Sequence, residues 1–281
     1  MVSSQVTRVA LPLAEQSGGG WQPYQLFGGP TAIVDYMNCH VSVLSAGHCP
    51  HPPHAHDEEE LLIILEGEAE LVISDKAAAD GARIERVRPG FFAYYPAHQH
   101  HTIRNGGTAP VTYMMFKWRV AGAKPAPNPI GTGAFHYDTS NKKKVTGWEL
   151  EKVMEGPTGF LGKLHCHLSR LAPGAGYEPH VDAYDGAIIL LGGRVESLGK
   201  EAGPYDVIYF AAGEKHGMRN VGSEPARYLV FEFHPSAIDL RKRITRQIKP
   251  LAKQVLKRAA LAVGVDLRQL RQRLRTRSRG T

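Results

Sequence analysis

The segment Cys39-His40-Val41-Ser42-Val43-Leu44-Ser45-Ala46-Gly47 returns 127 positions later as Cys166-His167-Leu168-Ser169-Arg170-Leu171-Ala172-Pro173-Gly174. This internal repeat constrains the fold more than any other feature of the 281-residue chain. His54 answers to His180 and Gly67 to Gly193. Further on, His101, Arg104, Asn105, Pro110, Tyr113 and Phe116 recur as His216, Arg219, Asn220, Pro225, Tyr228 and Phe231. Two copies of one small domain are therefore expected. The apolar runs inside each copy are short and rich in β-branched or aromatic residues: Leu61 to Leu65, Phe91 to Tyr95 and Val111 to Trp118, then Ala187 to Leu191, Val207 to Phe210 and Arg227 to Phe233. With 30 glycines and 19 prolines spread along the chain, an all-β fold is predicted. The expected order is an N-terminal extension (1–30), a first barrel (31–120), a Pro/Gly-rich linker (121–140), a second barrel (141–235) and a tail (236–281).

The net charge of +7 belongs to that tail. Residues 237–281 hold fourteen Lys or Arg against Asp239 and Asp266, and the remainder carries 20 basic and 25 acidic residues. Leu240, Ile244, Ile248, Leu251 and Val255 form one apolar stripe, so the tail is predicted as a pair of basic amphipathic α-helices. Three readings stand for it: contact with an anionic membrane, contact with nucleic acid through the arginine run from Arg268 to Arg279, or packing on the barrels. Three unpaired cysteines and a start lacking the long apolar run of a secretory signal predict a cytoplasmic protein.

His54-Ala55-His56 is the most informative local pattern, since alternate residues of a strand point to one face and aim two imidazoles into one interior. Glu60 follows on the same face, and His101 comes from a strand far along the chain. Three imidazoles and a carboxylate suit a divalent transition metal: Fe, Mn, Ni, Cu or Zn. Glu58, His98 and His100 are weak candidates for proton transfer, and with His51 and Glu59 they also read as rim positions. Tyr94, Tyr113 and Lys117 could line the pocket.

These residues resemble the cupin family. The motif HxHxxxExxxxxxG is met by His54, His56, Glu60 and Gly67, and GxxxxxPxGxxHxxxN by Gly90, Pro96, His101 and Asn105. His98 stands where the family has glycine, a position that asks for positive φ. With the repeat, the chain resembles a bicupin: two tandem double-stranded β-helix, or jelly-roll, barrels. The resemblance implies a metal site in the first barrel and a small-molecule substrate or ligand, and bicupins often form homodimers.

In the second copy the corresponding positions read His180, Asp182, Gly186 and His216. A two-histidine, one-carboxylate metal set and a relic that serves packing are both compatible with that pattern. Asp185 points to the opposite face, and His165 and His167 read as structural. The resemblance implies a metal enzyme acting on a small oxygen-rich molecule, of dioxygenase or of sugar isomerase, epimerase or lyase type. The alternative is a non-catalytic small-molecule or sugar-binding protein or a sensor.

Overall fold

The computed structural model describes residues 1–10, 19–122, 129–141 and 144–236, so the tail helices lie outside the described residues. Those residues are all-β, as the repeat and the turn residues predict. The first half contains β1 (Gln5–Thr7), β2 (Trp21–Gly29), β3 (Tyr36–Leu44), β4 (Glu59–Glu66), β5 (Ala69–Ser74), β6 (Arg83–Val87), β7 (Phe91–Tyr95), β8 (His100–Arg104) and β9 (Val111–Arg119). The second contains β10 (Gly133–His136), β11 (Trp148–Gly156), β12 (Lys163–Leu171), β13 (Gly176–Val181), β14 (Asp185–Gly192), β15 (Val195–Ser197), β16 (Lys200–Ala202), β17 (Val207–Phe210), β18 (Lys215–Asn220) and β19 (Ala226–His234).

Each barrel is a six-stranded sheet facing a smaller one. The first pairs the order β10-β7-β4-β9-β3-β2 with β6-β5-β8, and the second pairs β1-β17-β14-β19-β12-β11 with β13-β18-β15-β16. Alternation along each long strand sends one set of side chains into its own barrel and the other set outward. The inward set of the first barrel includes Leu62, Ile64, Leu71, Tyr95, Ile103 and Tyr113. Its counterpart includes Ile188, Leu190, Ile208, Met218 and Tyr228. The outward faces of the two large sheets meet in a third and larger core, where Cys39, Val41, Phe92, Phe116 and Trp118 join Cys166, Leu168, Tyr209, Phe231 and Phe233.

The two halves also exchange strands. β1 pairs not with its own barrel but with β17 of the second, Val6 opposite Ile208. β10 pairs in return with β7 of the first, Phe135 opposite Phe92. The expected extension and linker are thus corrected, since each carries the strand that closes the other copy's large sheet. Residues 21–29, also expected in the extension, form the edge strand β2 of the first sheet.

Glu59 is a further correction. Its neighbours Glu58 and Glu60 turn to the rim and to the barrel interior, so Glu59 is carried into the core between the barrels with no exposed surface. There its carboxylate accepts from Tyr94 Oη (2.9 Å), Trp118 Nε1 (2.8 Å), Thr158 Oγ1 (2.6 Å) and the Gly159 amide (2.6 Å). Four donors satisfy a buried carboxylate completely.

Candidate metal centre

His54 and His56 do not lie on a strand. Pro50, Pro52 and Pro53 remove the amide donors that a ladder needs, so residues 51–58 form a loop before β4. The loop is strapped to β8 by a bridge between His54 and His101, with N–O distances of 3.1 and 3.0 Å. A bond from the His98 amide to the His56 carbonyl (2.8 Å) fixes its other end. The same inward convergence therefore arises from a loop rather than from strand alternation.

The strap brings the first-barrel residues together. Glu60 Oε2 lies 3.1 Å from His56 Nε2 and 3.4 Å from His101 Nε2. Donor atoms each about 2.1 Å from one ion stand about 3.0 to 3.4 Å apart. The three ring centroids form a near-equilateral triangle: 5.4 Å from His54 to His56, 5.4 Å from His54 to His101 and 5.2 Å from His56 to His101. His56, Glu60 and His101 form the compact donor set, and His54 stands just outside it.

The ring tautomers follow from the outer contacts. Nδ1 of His54, His56 and His101 faces the carbonyls of His101 (3.3 Å), Glu58 (2.9 Å) and Gln99 (2.8 Å). A carbonyl only accepts, so each Nδ1 carries a proton and Nε2 is the atom that each ring turns inward. Burial, followed by the neighbouring His51, His101 and His56 rings, lowers the His54 pKa to about 4 and keeps it neutral. Tyr95 stacks on His101 at 4.0 Å and holds its plane.

Burial alone would raise the Glu60 carboxyl, but positive charge on His101, N–H donation from the His101 and His56 rings and the Lys117 ammonium outweigh it and hold it well below the usual range. Lys117 Nζ lies 3.2 Å from Oε2, so this residue does line the site. Glu60 Oε1 is buried with no hydrogen-bond partner. Inward Nε2 atoms beside an ionised carboxylate with one orphaned oxygen form a set of ligand atoms that fits a divalent cation, which would take the place of the Nε2 protons.

The weak catalytic candidates lie elsewhere. Glu58 sits behind His56, its carboxylate 3.6 Å from Nδ1, and meets Arg119 at 3.6 Å. His98 projects from the rim, mostly exposed, 3.7 Å from Asp57, with the φ of 66° expected of that glycine position. His100 precedes the inward His101 on β8, so it turns to the other face. Tyr94 belongs to the Glu59 cluster and Tyr113 to the first barrel's apolar core.

The second barrel repeats the geometry with fewer groups. Asp182 Oδ2 lies 3.4 Å from His180 Nε2 and 3.3 Å from His216 Nε2. Nδ1 of His180 and of His216 faces the carbonyls of Glu178 (3.1 Å) and Glu214 (3.0 Å), again leaving Nε2 as the inward atom. Phe210 stacks on His216 at 4.0 Å, as Tyr95 does on His101. His165 and His167, expected to be structural, join Glu232 in a third cluster. Its signal was the two-residue spacing of the histidines on β12 and the register that sets Glu232 opposite His165.

No curated protein matches the chain by sequence. Solved structures similar in fold include AerE from Microcystis aeruginosa, at 14% identity and a TM-score of 0.56 over 82% of this chain and 97% of that one. A variant of Bacillus subtilis oxalate decarboxylase OxdC matches at 15% identity and a TM-score of 0.57 over 83% of this chain and 78% of that one. A cupin 2 conserved barrel domain protein from Leptotrichia buccalis matches at 13% identity and a TM-score of 0.55 over 80% and 97%. The Cupin domain family model matches twice, at residues 40–117 and 167–232, once in each barrel, so the chain belongs to the cupin family and is a bicupin.

Proposed function

We propose that the first barrel holds one divalent transition metal on His56, Glu60 and His101, with His54 as a fourth ligand, and that the chain is a metal-dependent enzyme acting on a small oxygen-rich molecule. One observation carries the reading: Nε2 of His56 and of His101 converge on Glu60 Oε2 at the spacing of ligands around one ion, beside an orphaned buried Oε1. A bound metal would supply Lewis acidity toward a substrate oxygen. Lys117 adds a positive charge at the same place, which favours an anionic substrate group such as a carboxylate. The fold likeness to oxalate decarboxylases supports that substrate class. Decarboxylation or oxidation of a small acid is therefore the first reaction to assay, ahead of isomerase or lyase chemistry. Three free cysteines, two of them buried, suit the cytoplasmic placement.

The test is elemental analysis of protein supplied in turn with Mn, Fe, Ni, Cu and Zn, joined to assays of CO₂ release and O₂ uptake on small carboxylic and hydroxy acids. Metal near one equivalent or above, falling by about one in His101→Ala and Glu60→Gln together with turnover, is the expected result. Fewer than about 0.2 metal per wild-type chain after supplementation sinks the reading. Stoichiometric metal with no turnover leaves the enzyme claim wrong and points to a binding protein.

A further inference from the structure

The two barrels differ most at one pair of facing positions. In the first, Glu60 on β4 lies opposite Lys117 on β9, and their side chains form an internal ion pair. In the second, the corresponding pair on β14 and β19 is Gly186 opposite Glu232. The carboxylate has become a hydrogen atom, and the ammonium has become a carboxylate. Gly186 does not answer to backbone strain, since a Cβ there would meet only Phe210 at an ordinary 3.8 Å. The missing side chain leaves space, and a cavity of about 210 Å³ occupies this barrel.

Its walls combine aromatic rings with acceptors. Trp148, Tyr177, Tyr184, Phe210 and Tyr228 supply the rings, while Asp182, Glu232 and the histidines His167, His180 and His216 supply the polar atoms. No lysine or arginine lines it. Nε2 of His180 and of His216 lies 3.4 and 3.3 Å from the Asp182 carboxylate, and Glu232 Oε2 is 2.7 Å from His234 at the edge. The cage that Lys117 enters in the first barrel is thus preserved here without its ammonium and with one more carboxylate.

We propose that the second barrel is a binding site for a small organic primary ammonium, whose N–H donors take the place that Lys117 Nζ holds in the first barrel and whose apolar body packs on the aromatic walls. Three N–H donors match the acceptors of Asp182, His180, His216 and Glu232, and cation–π attraction adds to the preference for charge. At about 30 Å³ per water the volume amounts to about seven waters, which limits the ligand to about ten non-hydrogen atoms. The site is independent of the metal proposed for the first barrel.

The experiment is calorimetric titration of the EDTA-treated full chain with benzylamine and with its uncharged isostere benzyl alcohol, repeated with Mn²⁺ alone. Benzylamine is expected to bind one per chain and benzyl alcohol at least about tenfold more weakly. Glu232→Gln should weaken benzylamine at least about tenfold. Gly186→Leu, which fills the cavity, should abolish binding. Equal affinity for amine and alcohol overturns the proposal and needs no variant. So does amine binding unchanged in both variants, or a chain that takes up Mn²⁺ without binding the amine.

Discussion

Thr158 Oγ1 donates a 2.6 Å hydrogen bond to Glu59, a carboxylate of the other barrel. The relationship is reciprocal, because Thr31 Oγ1 donates at 2.5 Å to Asp185, which holds in the second copy the place Glu59 holds in the first. The two threonines sit in corresponding loops, Thr31 between β2 and β3 and Thr158 between β11 and β12. Thr31 Oγ1 accepts from the amides of Ile33 and Val34, and Thr158 Oγ1 from those of Phe160 and Leu161. Each hydroxyl therefore closes its own turn and hands its one proton to the opposite barrel. Together with the exchanged β1 and β10, these contacts tie each barrel to the other.

Glu59→Gln should destabilise the fold by about 3 kcal/mol, because an amide cannot accept from four donors and turns its own NH₂ toward some of them. Thr158→Val removes the bond to Glu59 and the acceptor of the Phe160 and Leu161 amides, and should cost about 2–3 kcal/mol. Urea unfolding of the single and double variants checks this. Additive effects would mean that the two residues are not coupled, contrary to the geometry.

The repeat made the barrels legible, and the loop's ligand-type residues pointed to the candidate centre, because both leave marks at fixed spacing. The exchange of β1 and β10 was not legible. These strands are three and four residues long, and nothing in Gln5–Thr7 or Gly133–His136 tells which sheet edge is free. Glu59 was hidden for a different reason: Glu58, Glu59 and Glu60 are chemically identical, and only the face each takes at the start of β4 separates rim, inter-barrel core and site. The proline-rich loop shows how the inward aim of His54 and His56 could be read from the wrong local structure.

Metal should stabilise the folded chain in proportion to its binding, by RT ln(1 + [M]/Kd), about 2.7 kcal/mol at a hundredfold excess over Kd. Thermal melts with and without Mn²⁺ should show that rise in wild type and lose most of it in Glu60→Gln. An undiminished rise in the variant would place the stabilising ion elsewhere.

His167 gives the apo protein a pH signature. Burial, then the neighbouring His165, lowers its pKa to about 4. Between that value and the unfolded value of about 6.5 the unfolded chain binds the additional proton, so stability falls as pH drops through this window. His167→Gln removes the group and should flatten the curve of unfolding free energy against pH between about 6.5 and 4 relative to wild type. A slope in that window as steep as wild type's would show that His167 is not the buried neutral imidazole described.

His98 and Tyr205 test how much of the local backbone is held against its preference. Both take a left-handed conformation, φ of 66° and 69°, at positions where the other copy has Gly213 and Gly90. The His98 side chain is mostly exposed and meets Asp57 at 3.7 Å, so glycine there relieves a cost of about 1–2 kcal/mol and returns part of it as chain entropy. His98→Gly should raise stability by up to about 1 kcal/mol with metal content unchanged. Tyr205→Gly relieves the same strain, yet it removes a ring packed against the inter-barrel core and the bond from its hydroxyl to the Leu65 carbonyl at 3.3 Å. That variant should be less stable than wild type. Opposite signs in the two melts are the expected outcome, and a destabilised His98→Gly would show that the His98 side chain holds the loop over the site.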